Sequence, residues 1–471
     1  MKTNIRIVTV VIALFLTAMT MPVVAQNSSY EQRKAYEGLY QYINHSTLKI
    51  AAPPDDTILY AIINKASYAL RHKEKDVFLN NANIPVIFLR DKTGAVSGYV
   101  TNRDTFKLIS RNVHFPKEMW YPRINVADPK NYVYNYARPK QLADGLTTAD
   151  LNGSGLDPKL LATMMHKIVA GQYPNVHSIL IIKNNKLVFE EYFYEYKRDS
   201  LQEMRSASKS VVSALAGIAI HKGLIKSVHE TLPALLPEYH FANPSPLKDR
   251  ITLQDILDNQ SGVNYDEAWD KSMGNEIDMG FSNDWVKYTF DLPMIDTPGR
   301  KGRYNSGNPI AVGYIVEKHS GTSLHDFAAK NLFGPMGITD FKWNFKPDRS
   351  NADNFCQVLL TPRDMAKFGL MFLNNGLWKG KQVVPAAWVA ESTAKHSVVE
   401  NVDYGYLWWL KYLDAGTVRY HSFAAQGNGG QKIYVFRDLD MVVITTGGNY
   451  NTQSPADEII KTYILPAFNP H

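Results

Sequence analysis

At 471 residues, with 45% hydrophobic and 20% charged side chains, the chain is long enough for two cores and has a globular balance that excludes disorder. A formal charge of +6 without any Lys/Arg run excludes a phosphate-binding stripe, so no nucleic-acid partner is expected. The single cysteine, Cys356, rules out an internal disulfide and reads as a buried, inert thiol, and thirteen histidines without HExxH or paired spacing give no metal site.

Residues 1–25 combine Lys2 and Arg6, an apolar run from Ile7 to about Met21, and the small-residue ending Val23-Val24-Ala25. This is the pattern of a secretory signal peptide cleaved after Ala25, and it predicts an exported protein, periplasmic or secreted, with no stable membrane span after cleavage. A membrane anchor is the alternative, for which the run is short. Residues 26–140 are expected to form a small antiparallel β-domain. Short β-like runs at 48–51, 58–63, 86–89 and 96–100 alternate there with the turn-rich pieces APPDD and RDKTGAVSG. Its polar residues show no catalytic pattern, so support or substrate positioning is its expected role. A stretch rich in Asn, Asp, Pro and Gly follows, with a linker placed at 141–155.

The second domain, 156–471, opens with a predicted helix at 158–169 and a hairpin, HSILIIK and LVFEEYF around Asn184-Asn185. Asparagine tolerates the positive φ of such turns. KSVVSALAGIAIHKGL, after Arg205, reads as a largely buried helix. Residues 250–400 are mostly helical in pattern. The chain then returns to strands in QKIYVF and MVVITTG across a tight RDLD turn, and ends in a helix near 456–465. The expected class is α+β: an antiparallel sheet flanked by helices, with a helical insertion and the N-terminal β-domain attached.

Three short stretches carry chemistry. Ser206-Ala207-Ser208-Lys209 places Ser206 and Lys209 one helical turn apart on one face. A serine hydroxyl needs a neighbouring base, and a lysine serves as one when desolvation and the positive helix end depress its pKa. The competing reading is that Ser206 only caps the helix. Ser208 and Ser210 face other directions and read as helix surface or packing. Tyr304-Asn305-Ser306, on a loop flanked by Gly302 and Gly307, offers a phenol as second proton carrier, or is an ordinary turn. Gly427-Asn428-Gly429-Gly430-Gln431 leads into a strand, where glycines admit a substrate and a free N–H completes an oxyanion hole, or is a glycine-rich hairpin approach. The three together, in this order, favour catalysis.

SASK, YNS and GNGGQ in this order resemble the motifs of the serine β-lactamase-like and penicillin-binding-protein-like superfamily, in its class C β-lactamase, DD-peptidase and esterase group. LDNQSGVNYDE, LLTPRDMAKFGLMFLNNGLWKGKQVVPAAWV and YGYLWW are similar to segments of the same group. YNSGN and QGNGGQ look closest to its 6-aminohexanoate-dimer hydrolase and esterase branch. The resemblance implies a β-lactamase/DD-peptidase-like fold and two-step acyl transfer without a cofactor. Ser206 would be the nucleophile, Lys209 its base and Tyr304 the proton relay. The backbone N–H groups of Ser206 and Asn428 would form the oxyanion hole, with Ser306, Gly427 and Gly429 lining the substrate. The implied partner is a small-molecule ester, an amide or a short peptide.

Two departures matter. Ser306 stands where many members have Asn, and Ala425 stands where β-lactamases have the lysine of K-T-G and many esterases have a histidine. His421 and Lys432 are the residues left to supply that charge, and an ester or amide is favoured over a β-lactam. The rival readings are a β-lactamase or DD-carboxypeptidase, and a non-catalytic peptide-binding module.

Overall fold

A computed structural model describes residues 29–42, 46–63, 66–102, 104–345 and 357–468. The leader read at 1–25 and the thiol of Cys356 lie outside the described residues.

The N-terminal β-domain is a closed eight-stranded barrel. Its strands are Gly38–Gln41, Thr47–Ala51, Leu59–Ile63, Ala66–Glu74, Val77–Leu79, Pro85–Arg90, Val96–Thr101 and Asp104–Ser110, each antiparallel to the next. The first strand also pairs with the last, which closes the ring. Period-two alternation sorts the side chains: Val86 and Phe88 point inward while Ile87 and Leu89 remain exposed. Eight strands enclose a space that side chains can fill, and here Tyr40, Phe78, Phe88 and Tyr99 meet in it at centroid distances of 5.3 to 6.1 Å.

The chain then crosses to the larger body, where Tyr134 and Tyr136 bond to Glu191 and to the Val188 carbonyl at 2.7 and 3.0 Å. There a second antiparallel sheet runs in the order Lys186–Tyr192, Val176–Lys183, Met441–Gly447, Gln431–Phe436, Val418–Gly427, Trp409–Ala415, Val402–Tyr404, Ser397–Val399. Its central strands are covered on both faces, which accounts for their unbroken apolar runs. Leu180 and Ile182 face one core, Ile179 and Ile181 the other. The second core holds the Pro158–Val169 helix and the C-terminal helical turns, α-helical over Ala456–Ile459 and π-helical over Ile460–Ile464. The first core holds the long helices Ser208–His221, Gly307–Ser320 and Pro362–Leu373. Asn184 and Asn185, at φ 51° and 62°, make the two-residue hairpin turn read from the sequence. Among the described residues no helix is long and apolar enough to cross a membrane.

Candidate active site

The strand Gln202–Glu203 pairs with Val358–Leu360, and the Met204 N–H donates to the Val358 carbonyl at 3.1 Å. The chain then turns sharply. Arg205 sits at φ 50°, a left-handed position that costs a residue bearing a Cβ about 1–2 kcal/mol. A 3₁₀ turn over Arg205–Ala207 leads into the Ser208–His221 helix, whose N-cap position is Ala207 with no side-chain bond. Ser206 is therefore not the helix cap. Its Oγ accepts a hydrogen bond from Lys209 Nζ at 2.8 Å. Lys209 is only 8% exposed, and its Nζ lies 4.9 Å from the centroid of the Tyr304 ring. The neighbouring serines are engaged elsewhere: Ser208 Oγ accepts from the Val358 N–H at 3.0 Å, and Ser210 Oγ donates to the Leu407 carbonyl at 2.7 Å.

Tyr304 is held by its ring against Trp409, at 5.5 Å, and by its carbonyl, which accepts the Glu267 N–H at 2.9 Å. Asn305 Oδ1 accepts the N–H groups of Gly307 and Asn308 at 2.8 and 3.2 Å, so it starts the helix that follows. Asn308 donates to Asn259 Oδ1 at 3.0 Å, and the Arg303 N–H donates to the Asn259 carbonyl at 2.9 Å. The LDNQSG stretch thus supports the Tyr304 loop from behind. Ser306 is 3% exposed and lies beside the Glu267 carboxylate. Burial and the charge of Glu276 push that carboxyl up, while bonds from the Glu276 N–H, Tyr265 and Ser306 draw it back. Glu400, at the turn before Val402–Tyr404, is pushed up by burial and by Asp266 and pulled down by the positive charge of Lys209.

The glycines of the third motif serve a close approach between two pieces of chain. A Cβ on Gly427 would lie 2.2 Å from the Met204 carbonyl oxygen and 3.2 Å from Ala207 N, so the strand end rests directly on the Ser206 turn. Gly429 has φ 92°, and a Cβ there would meet the Tyr450 ring at 2.7 Å. Between them, Asn428 exchanges side-chain bonds with Asn451 at 2.6 and 2.9 Å, and its backbone N–H makes no hydrogen bond among the described residues. Ala425 is wholly buried in the core beneath the Ser206 helix. The pleat turns Gln426 to the opposite face, where Lys432 Nζ reaches it at 2.5 Å and Asp457 at 3.8 Å. His421 shares the face of Ala425 but stands about 13 Å up the strand, beside Tyr412. Neither side chain takes the place of the missing lysine.

Asp258, in the same supporting stretch, is buried, and its Oδ1 finds no partner among the described residues. Burial is the main reason its carboxyl is pushed up to about 8, with Asp255 and Glu391 adding to it and a Gln254 bond opposing. The folded chain therefore holds a proton there that the unfolded chain releases near pH 4. Stability falls as pH rises from about 4 to about 8, by about 1.4 kcal/mol per pH unit from this group. Asp258→Asn is expected to remove that slope and to raise the thermal midpoint at pH 8 more than at pH 5. Parallel melting curves of the two proteins would show the idea wrong.

Among the described residues no group of three or more His, Cys, Asp or Glu is arranged to hold a metal ion. Asn259 and Trp409 lie in the LDNQSGVNYDE and YGYLWW segments without being singled out there, and Arg205 and Tyr450 belong to no motif with its own spacing.

The family model for beta-lactamase matches residues 160–460, which hold Ser206, Lys209, Tyr304 and Asn428. The chain belongs to the beta-lactamase family. This beta-lactamase family chain is 24% identical over 294 residues to the 6-aminohexanoate-dimer hydrolase of Paenarthrobacter ureafaciens, covering 57% of this chain and 71% of that protein. It is 27% identical over 195 residues to the lovastatin esterase of Penicillium rubens, covering 38% and 48%. Its fold is shared with a family VIII carboxylesterase of known structure, at 14% identity and a TM-score of 0.53, over 66% of this chain and 98% of that one. The family's hydrolase relatives thus include an esterase and an amide hydrolase, and the barrel lies outside the matched residues.

Proposed function

We propose that the chain is an exported serine hydrolase that cleaves a carboxylic ester or a linear amide through an acyl-enzyme on Ser206. The observation that carries the reading is the 2.8 Å bond between Lys209 Nζ and Ser206 Oγ, with that nitrogen packed 4.9 Å from the centroid of the Tyr304 ring. In its neutral form Lys209 takes the Ser206 proton as Oγ attacks the carbonyl. The backbone N–H groups of Ser206 and Asn428 receive the oxyanion. Tyr304 relays the proton held by Lys209 to the leaving group, and water then attacks the acyl-enzyme, gives its proton to Lys209, and releases the acid as that proton returns to Ser206. Gly427 and Gly429 let the strand end close on the Met204 carbonyl and the Tyr450 ring and so set the Asn428 N–H, while Ser306, 3% exposed, lies within the loop. Export rests on the basic, apolar, small-residue order of residues 1–25.

Ala425 argues against a β-lactamase or DD-carboxypeptidase. A lysine there would meet a carboxylate beside the scissile bond, and such a charge-assisted bond contributes about 1.5–3 kcal/mol, roughly 10- to 150-fold in rate. The test is kcat/KM for p-nitrophenyl acetate and butyrate against a chromogenic cephalosporin. Esters are expected to lead by at least that factor. Cephalosporin turnover near ~10⁶ M⁻¹s⁻¹, well within the enzyme range, would overturn the preference.

A further inference from the structure

Arg205 immediately precedes the nucleophile and is the residue that bends the chain into it at φ 50°. Its side chain is clamped on several sides. Glu203 pairs with it at 3.2 Å, the guanidinium lies 4.8 Å above the Tyr450 ring, and Nη2 donates at 3.2 Å to the hydroxyl of Tyr68. Tyr68 belongs to the barrel strand Ala66–Glu74, and its ring also leans on Tyr450 at 5.8 Å. A second barrel residue, Asn81, donates to the Tyr450 carbonyl at 3.2 Å. The Cδ1–Cε1 edge of the Tyr450 ring occupies the space that a Cβ on Gly429 would need. One stack therefore runs from the barrel through Arg205 and Tyr450 to both sides of the proposed oxyanion hole.

We infer that the N-terminal barrel is a working part of this site, with Tyr68, seconded by Asn81, as a positioning residue. The left-handed backbone at Arg205 persists only where its surroundings hold it, and two of the groups that do so come from outside the matched hydrolase region. Without them the Ser206 turn relaxes, and the direction of Oγ and of the Ser206 N–H relaxes with it. Geometry of this kind enters the acylation step and leaves ground-state binding largely alone. The inference rests on Ser206 as nucleophile only for its kinetic consequence.

The experiment compares the full-length protein with Tyr68→Phe, which keeps the ring and loses only the hydroxyl, and with Asn81→Ala. Ile87→Ala, exposed on the outer barrel wall, is the control. Fluorophosphonate acylation and p-nitrophenyl butyrate turnover are followed beside thermal midpoints and hydrogen exchange of peptides covering 204–210 and 427–432. Tyr68→Phe is expected to slow acylation and kcat about tenfold, below the hundredfold of a full 1 Å misplacement. KM should stay within twofold and the midpoint unchanged, and both peptides should exchange faster. Asn81→Ala should behave alike and Ile87→Ala like wild type. Acylation and exchange at wild-type levels in Tyr68→Phe would overturn the inference, as would a loss that only tracks a lower midpoint. Should wild type take no label, the hydrolase reading falls, and the exchange of the two peptides still decides whether the barrel holds the turn.

Discussion

Ser206→Ala is expected to abolish covalent labelling by a fluorophosphonate and to drop ester turnover to background, a loss on the order of 10⁶ for a nucleophile removed from a working site. The substitution deletes one hydroxyl whose hydrogen bond is to Lys209, and the turn that carries it is held by Arg205, Met204 and Gly427. The fold should therefore be retained. Intact-mass measurement would show one adduct on wild type and none on the variant. Ser208 and Ser210 cannot substitute without giving up their bonds to Val358 and Leu407. An adduct that maps to either of them, or to Cys356, would remove Ser206 from the mechanism.

Removing the proton carriers should cost less, by about 10²- to 10⁴-fold each. Lys209→Ala takes away the only base seen in contact with Ser206 Oγ among the described residues. Its effect should appear on every substrate. Tyr304→Phe keeps the ring on Trp409 and beneath the Lys209 ammonium, so it tests the hydroxyl alone. An alkoxide or amine leaving group needs a proton more than p-nitrophenolate does. The Tyr304→Phe loss should accordingly be greater on a linear amide than on a p-nitrophenyl ester. A variant within threefold of wild type on both would take the phenol out of the reaction.

What could be read from the sequence was mostly local. The hairpin at Asn184-Asn185 is announced by two residues that accept positive φ. The doubly covered strand Val176–Lys183 is announced by its unbroken apolar run. The barrel strands show as short runs, but closure is a contact between Gly38–Gln41 and Asp104–Ser110 that neither segment encodes alone. The glycines of GNGGQ point to a close approach. What approaches Gly427, the Met204 carbonyl, is a tertiary neighbour with no local signature. Arg205 adopts a conformation usually left to Gly or Asn, so nothing about it predicts a bend. Lys432 looks available in the sequence because the pleat that sends it to Gln426 and Asp457 depends on strand register.

The two sheets differ in how far apart in the chain their partners lie. Every barrel strand finds its neighbour next in sequence except for the single closing pair. In the larger sheet, Val176–Lys183 must wait for Met441–Gly447, and the hydroxyls of Ser178 and Thr446 that meet at 2.6 Å are 268 residues apart. Closing so long a loop is the slow kind of event in folding. The barrel can form while the rest of the chain is still being made. The hairpin of the larger sheet then carries an open edge until the last strands arrive. The Ser206 turn has no Gly427 to rest on before those strands are in place, so the proposed acylation site is assembled late.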